Sequence, residues 1–140
     1  MYSKRELIAL IIWWCEGTKA RKDKRWKNSV NKAVEVTNTD PKIIKLFTEF
    51  LIKDLKVDVS KLRAQVQIHE GDNQIKIEEY WSNISNIPIS QFNKTIIRPV
   101  GNKIGKNFGT FKIRTYDKIL FDSLTDKLNK EITKLFIIGE

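Results

Sequence analysis

The sequence predicts an α+β fold, because segments with a strand period and segments with a helical period alternate along one chain. The clearest strand is 62–70, in which apolar Leu62, Ala64, Val66 and Ile68 alternate with polar residues. The clearest helix is 41–55, in which apolar residues recur at helical spacing. The connections between strands are too irregular for a doubly wound parallel sheet. We therefore expect at least four largely antiparallel strands with helices on one face.

The first predicted element is a helix from Ser3 to Glu16. Ser3 and Glu6 have the spacing of a capping box, and Gly17 is a typical stop for a helix. The residues from 7 to 15 are all apolar. A helix that is apolar on every face must be covered all round, either by its own domain or by a partner.

A basic β-hairpin is predicted next, with a long first strand over 18–27, a turn at 28–29, and a second strand in which Val34 and Val36 alternate with polar residues. Asp40 and Pro41 then have the residue types of an N-cap and a first helical position. The second helix is predicted to run to Leu55 with one buried stripe: Ile43, Ile44, Phe47, Phe50, Leu51 and Leu55.

After the strand at 62–70, we expect a third helix that starts after residues 71–73 and ends near Ser85, with Ile77, Tyr80, Trp81 and Ile84 buried. Residues 86–107 contain prolines and glycines and are predicted to be irregular. A strand from Phe108 to Thr115 follows, with Phe111 and Ile113 on its apolar side. The last helix is predicted over 117–136 with an inner stripe of Leu120, Leu124, Leu128, Ile132 and Leu135.

The amino-acid composition limits the classes of protein to which this chain can belong. The chain has 140 residues, of which 41% are hydrophobic and 31% charged, so we expect one folded domain over 1–140. A single cysteine, Cys15, excludes an internal disulfide, and a single histidine, His69, makes a histidine metal site improbable. We interpret Cys15 as a small packing residue and His69 as a polar strand residue. The nine-residue apolar run is too short for a transmembrane helix, which needs about 20 residues, and lacks a signal-peptide cleavage pattern. The predicted location is intracellular.

The positive charge is concentrated in two stretches. The net charge is +9, and residues 19–32 hold seven basic residues against one acid, while residues 94–114 hold six and no acid. The rest of the chain is slightly acidic. Two basic stretches on such a body favour a polyanion partner, with a lysine-rich solvated surface as the alternative.

The predicted strands share a pattern of apolar residues inward and basic or amide residues outward. An outward sheet face can lie in the major groove of a duplex, where arginine recognises guanine and glutamine recognises adenine. We expect phosphate contacts from the first basic stretch and the last strand, and base contacts from the strand at 62–70. The predicted phosphate contacts are Lys19, Arg21, Lys22, Lys24, Arg25, Lys27, Lys112 and Arg114, and the predicted base contacts are Arg63, Gln65 and Gln67.

Glu16 is the acid with the most suggestive position. It ends the apolar helix directly before Gly17, where the basic hairpin begins. A carboxylate at that corner can bind a divalent cation beside a phosphate, and its alternative role is only to solubilise the helix end.

The segment from Ala9 to Gly17 (ALIIWWCEG), followed by a basic hairpin and an amphipathic helix, resembles the LAGLIDADG homing endonuclease family. The resemblance is clear over about residues 5–55. It implies a saddle-shaped sheet on DNA and a motif helix that packs against the same helix of a second copy. It also implies Mg²⁺, or another divalent cation, bound by the acid and glycine at the helix end, here Glu16 and Gly17. A chain with one motif implies a homodimer through this helix.

Members of this family also use a basic residue in catalysis. Lys94 and Arg98 are candidates for that role by charge, with Lys94 the catalytic candidate and Arg98 a further DNA contact. The predicted function is thus a metal-dependent, site-specific DNA endonuclease that acts as a homodimer on a long, nearly palindromic site. One alternative is a DNA-binding protein of this fold without nuclease activity. Another is an RNA-binding module, for which Trp26 is the candidate stacking residue.

Overall fold

The structure, a computed structural model, describes residues 1–19, 21–22, 30–99 and 108–138, with the backbone alone at 21–22, 30–31 and 137–138. The helices and strands in chain order are α1 (Lys4–Glu16), β1 (Arg21–Lys22), β2 (Val30–Asn31), β3 (Ala33–Asn38), α2 (Pro41–Glu49), β4 (Arg63–His69), α3 (Gln74–Ser85), β5 (Ile96–Arg98), β6 (Thr110–Tyr116) and α4 (Lys118–Ile138). The α+β class predicted from the sequence is confirmed.

The main sheet has four strands in the order β3–β6–β4–β5. The pairs β3–β6 and β4–β6 are antiparallel, as predicted, but β4 and β5 are parallel, so the sheet is mixed and not antiparallel throughout. Strand β5 also lies in the segment that was predicted to be irregular. Three residues are too few to show an alternating pattern, and α3 provides the crossover that two parallel strands require. β1 and β2 form a separate antiparallel ladder.

The helix starts follow local capping chemistry, as predicted. The Ser3 hydroxyl accepts a hydrogen bond from the Glu6 amide at 3.1 Å, and the Glu6 carboxylate accepts one from the Ser3 amide at 3.0 Å. Asp40 accepts a hydrogen bond from the Lys42 amide, and Pro41 occupies the first turn of α2. These short-range bonds satisfy amide groups that have no partner inside the helix.

The second helix changes geometry before its predicted end at Leu55. The α-helical part stops at Glu49, and the chain continues as a π-helical turn over Phe50–Asp54, where the Leu55 amide donates to the Phe50 carbonyl. At this end Asp54 accepts two hydrogen bonds from the Arg5 guanidinium of α1, at 2.7 and 2.8 Å. The hydrogen-bonded guanidinium holds the pKa of Asp54 below its usual value. This pair fixes α1 against the end of α2.

The core lies between the helices and the apolar face of the sheet. Alternate residues of β3, β4 and β6 are buried there, including Val36, Val66 and Phe111, which confirms the predicted alternation. Trp81 of α3 is fully buried, stacks on Phe111 at 5.0 Å, and donates its indole N–H to the Phe108 carbonyl.

Two details of the predicted helix faces are different in the structure. Tyr80 and Ile84 of α3 are only partly buried against the core. Leu135 of α4 is 73% exposed, so its assignment to the inner stripe was wrong, and Phe121 is buried in addition to Leu124 and Leu128. The apolar face of α4 therefore contacts the core as far as Ile132, which is partly buried, and residues 133–136 are exposed. In the described ranges, no helix is long and apolar enough to cross a bilayer.

Candidate nucleic-acid interface

The face of the main sheet opposite the core carries five of the twelve predicted DNA contacts. Because the strands pair in a fixed register, the outward residues form rows across β3, β6 and β4. One row is Glu35, Arg114 and Arg63, the next is Thr37, Lys112 and Gln65, and the third pairs Thr110 with Gln67. We call this surface the outer face. It brings five predicted contacts together: Arg63, Gln65, Gln67, Lys112 and Arg114.

Glu35 is the one acid that the described strands place on the outer face. Its carboxylate lies 3.8 Å from the Lys112 ammonium and 3.7 Å from Arg114 Nε, so both cations share one counter-charge. Half-buried ion pairs of this length hold side chains in place and are worth little in stability. The face keeps a net positive charge, because Arg63 adds to these two cations.

Two of the three predicted base-contacting residues, Arg63 and Gln65, have hydrogen-bond partners inside the chain. Arg63 Nη1 donates to the carbonyl groups of Ser60 and Leu62 at 2.7 and 2.8 Å. Gln65 Nε2 donates to the Lys94 carbonyl at 2.8 Å. These bonds orient both side chains and leave the Gln65 amide oxygen available to accept a hydrogen bond.

Lys94 and Glu16, the two predicted catalytic residues, lie at opposite sides of one subunit. The chain just after Glu16 runs beside β3, because the Thr18 amide donates to the Glu35 carbonyl. Lys94 directly precedes β5, beyond β6 and β4. At about 4.8 Å between neighbouring strands, the two residues are separated by roughly 15–20 Å. Arg98 lies opposite His69 at the β5 edge, and His69 is half-buried.

The C-terminal end of α1 forms a corner at the β3 edge of the sheet. Glu16 is exposed there, and Gly17 pairs with Val36 in an isolated bridge. Gly17 has ordinary extended dihedrals, so its role is spatial: a Cβ at this position would lie 2.3 Å from the Trp13 ring and 2.4 Å from the Trp13 carbonyl oxygen. Lys19, a predicted phosphate contact, donates to the Trp14 carbonyl at 2.9 Å and caps the helix end.

Helix α1 is buried on one side and exposed on the other. Its inner side packs Ala9, Leu10, Ile12 and Trp13 into the core. Its outer side, which we call the α1 stripe, consists of Leu7, Ile8, Ile11, Trp14 and Cys15; the first four are between 41% and 55% exposed. Cys15 was expected to be a small packing residue, but within one chain it is exposed. A continuous apolar stripe of this size is typical of a surface that is covered by a partner.

The metal prediction rests on a single carboxylate per chain. The described residues contain no cluster of three or more His, Cys, Asp or Glu side chains that could hold a metal ion. This part of the chain therefore supplies no complete donor set for Mg²⁺, which binds through oxygen ligands. A site at Glu16 needs donors from a second chain, from the substrate or from water.

Part of the first basic stretch falls outside the described residues. Lys24, Arg25, Lys27 and Trp26 lie in the segment 23–29, and for Arg21 and Lys22 only the backbone path in β1 is described. Of the predicted hairpin, the turn at 28–29 and residues 23–27 lie in the same segment. Its described part pairs Arg21–Lys22 with Val30–Asn31, whereas Val34 and Val36 belong to β3 and pair with β6.

Three residues of the interface were missed from the sequence. Tyr116 continues the alternation of β6 by one outward position, and that signal was present in the pattern. Glu35 was recognised as an outward residue, but its contact with two cations depends on the β3–β6 register. Lys61 gave no signal at all, because only the short 3₁₀ turn before β4 brings it to the sheet. No protein-family model, curated protein or solved structure matched this chain.

The contact between Gly17 and Trp13 predicts a large effect for a single methyl group. We expect Gly17→Ala to lower the free energy of unfolding by about 1–3 kcal/mol, because the added carbon overlaps a buried ring. Urea unfolding of the two proteins measures this. In a Trp13→Leu background the same change should cost less, since the ring contact is gone and only the carbonyl contact remains. An unchanged urea midpoint for Gly17→Ala would show that Gly17 is not needed for packing.

Proposed function

We propose that the protein is a homodimeric, metal-dependent DNA endonuclease that binds duplex DNA through the outer face of its sheet. The observation that supports this most is the convergence of five predicted DNA contacts on one face, with the buried apolar residues of β3, β4 and β6 on the other. The chain reaches this arrangement through strand alternation alone, so the face has the same polar character along three strands. The resemblance to LAGLIDADG homing endonucleases, noted from the sequence, is part of the same proposal.

On DNA, the cations and amides of the outer face have separate tasks. Lys112 and Arg114 neutralise phosphates, while Gln65 and Gln67 present amide groups suited to adenine. Lys19 and the basic residues of 21–27 extend the positive surface from the β3 edge. Glu35 keeps Lys112 and Arg114 at a common position and lowers the entropy that these long side chains lose on binding.

In the dimer, the α1 stripe of one subunit packs on the same stripe of its partner. This is a self-complementary contact about a twofold axis, the commonest symmetry of soluble homo-oligomers. Because α1 meets the sheet beside β3, such an axis would bring the β3 edges of the two sheets nearest to each other. Two outer faces would then follow one duplex, which accounts for a long, nearly palindromic site.

The same axis would bring two Glu16 carboxylates toward each other at the helix ends. Together with Gly17 at the corner, Glu16 from each subunit would hold Mg²⁺ beside the phosphates. Bound there, Mg²⁺ would supply charge stabilisation and an activated water. The contribution of the chain itself is to hold each carboxylate at a fixed helix end, because Trp13 is anchored in the core and Gly17 is closely packed beneath it.

A DNA-binding protein without nuclease activity is the second candidate. The observation that favours it is the single carboxylate at the corner, with no further acid or histidine cluster among the described residues. In that case the dimer and the outer face keep their roles, and Glu16 only ends α1 at the surface. Binding and cleavage therefore have to be measured separately.

The dimer can be tested by placing a charge in the α1 stripe. We expect the wild-type protein to have twice the chain mass of 16.4 kDa in light scattering, and Ile11→Asp to have the mass of one chain. The reason is that a carboxylate buried between two apolar helices has no partner. Ile75→Asp is the matched control, because Ile75 is also exposed, at 71%, but lies on α3. A wild-type protein that stays monomeric at micromolar concentrations would rule out the twofold arrangement.

DNA binding can be tested through its dependence on salt. We expect affinity for duplex DNA to fall steeply between 50 and 200 mM salt, because bound phosphates release counterions. Lys112→Gln should weaken binding and reduce the slope of log affinity against log salt by about 1. Lys130→Gln removes the same charge from an exposed site on α4 and should leave the slope unchanged. An affinity that is independent of salt would refute every nucleic-acid function.

Cleavage is tested on duplexes that the protein itself selects. Binding to a randomised duplex library, without metal, yields the preferred site, and Mg²⁺ or a chelator is then added to the selected duplex. We expect cleavage only with Mg²⁺, and none by Glu16→Gln, whose affinity should stay within about twofold, since Glu16 contributes to chemistry more than to binding. Glu79→Gln on α3 is the control. Tight binding with no cleavage by the wild-type protein would establish the second candidate.

A further inference from the structure

A cleft of about 520 Å³ lies at one end of the outer face, where the short turn before β4 meets the end of β6. Three of its lining residues are cations: Lys61, Arg63 and Arg114. The cleft is also lined by Ser60, Asn93 and the ring of Tyr116, and the described lining contains no acid. The cleft thus combines concentrated positive charge with polar groups and one aromatic surface.

The two arginines of the cleft are directly opposite each other on neighbouring strands. Arg63 of β4 and Arg114 of β6 are register partners. Like charges in this position repel and destabilise a sheet. Glu35 compensates Arg114 from the β3 side, whereas Arg63 forms no ion pair with a carboxylate of the described residues. An anion between the two guanidinium groups would remove this repulsion.

Both guanidinium groups are held in position before any ligand binds. Arg63 is fixed by its two hydrogen bonds to the Ser60 and Leu62 carbonyl groups. Arg114 stacks on the Tyr116 ring, 4.1 Å from the ring centre, and also donates to the Tyr116 hydroxyl. Its Nε is buried and has no hydrogen-bond acceptor, because Glu35 is 3.7 Å away. Side chains that are already ordered lose little entropy when they bind a ligand.

We propose that this cleft binds the phosphate group of a nucleotide between Arg63 and Arg114, with Lys61 at its rim. Arginine forks match the oxygens of a phosphate, and three cations suit its charge better than that of a single carboxylate. The Tyr116 ring, which is exposed on the side away from Arg114, offers a surface on which a base or sugar can pack. Arg63 then contacts a phosphate and not a base edge.

This proposal rests on the proposed function only for the source of the phosphate. The group can belong to the backbone of bound DNA or to a free mononucleotide, and both present the same chemistry to the cleft. We take inorganic phosphate and thymidine 5′-monophosphate as small probes and nonspecific duplex DNA as the large one. The small probes test the cleft, and the duplex tests where the phosphate comes from.

Binding of the small probes is followed by ³¹P line broadening at constant ionic strength. We expect saturable binding by the wild-type protein and a loss of about tenfold or more in Arg63→Gln and in Arg114→Gln, because each removes a charged hydrogen-bonding partner. Arg63→Lys, which keeps the charge without the fork, should be intermediate. Lys130→Gln on α4 is the control for a lost charge and should bind like the wild type. No saturable binding, or equal binding by all variants, overturns the proposal.

A stability measurement separates this role from a structural one. Arg63→Gln should leave the urea midpoint of the free protein unchanged or raise it, because it relieves the repulsion from Arg114, and phosphate should stabilise only the wild type. An unfolded or strongly destabilised Arg63→Gln protein would mean that Arg63 serves the fold, which also overturns the proposal. Lys61→Gln changes a residue at the rim, outside the strands, and should weaken phosphate binding without altering the sheet.

The measurements with duplex DNA show whether the bound phosphate belongs to DNA or to a free nucleotide. If Arg63→Gln weakens duplex binding and lowers its salt slope together with phosphate binding, the cleft holds a backbone phosphate. If duplex binding is unchanged while mononucleotide binding is lost, the cleft serves a free nucleotide. A wild-type protein that binds phosphate in the cleft but no DNA would refute the proposed function and leave the cleft as assigned.

Discussion

The rest of the structure depends on the packing of α1, a helix that is apolar on every side from residue 7 to residue 15. On its inner side, Trp13 stacks on Phe47 of α2 and meets Phe121 of α4 edge-on, so this one side chain joins three helices over β3. Gly17 allows the chain to turn back directly beneath that ring and to pair with the sheet edge. Since the inner side is occupied by the core, the apolar residues of the α1 stripe remain about half-exposed along the other side of the helix.

Local physical chemistry made much of the fold predictable. Strand alternation over 62–70 and the capping groups Ser3 and Asp40 depend on residues within a few positions of one another, and the structure follows them closely. The expectation that α1 is covered all round stays a prediction, because one chain buries only the inner side of this helix. Such signals survive folding because burial of the same side chains reinforces them.

The rest could not be predicted, because it depends on contacts between distant segments. Strand β5 exists through pairing with β4, and the turn at Phe50–Asp54 departs from α-helical geometry where α2 meets the Arg5–Asp54 pair. The site has the same limitation. The sequence identified Arg63 and Arg114 as outward cations, but only the register shows that they face each other across two strands. Likewise, Glu16 and Lys94 are both charged and exposed, and only the strand order separates them.

The position of Glu35 connects the fold to the charge of the outer face. A carboxylate among cations lowers the net field that attracts a polyanion, so its presence on this face needs a reason. It touches the two cations of β6 and leaves Arg63 alone, which makes the positive charge strongest on the β4 side of the β4–β6 pair. Glu35 lies in the same row as Arg114 and Arg63, so the uncompensated positive charge of this row is that of Arg63, on the strand that also carries Gln65 and Gln67. Under the proposed function, such a surface would fix a phosphate at one end and leave the glutamine side chains for contacts that depend on hydrogen-bond geometry.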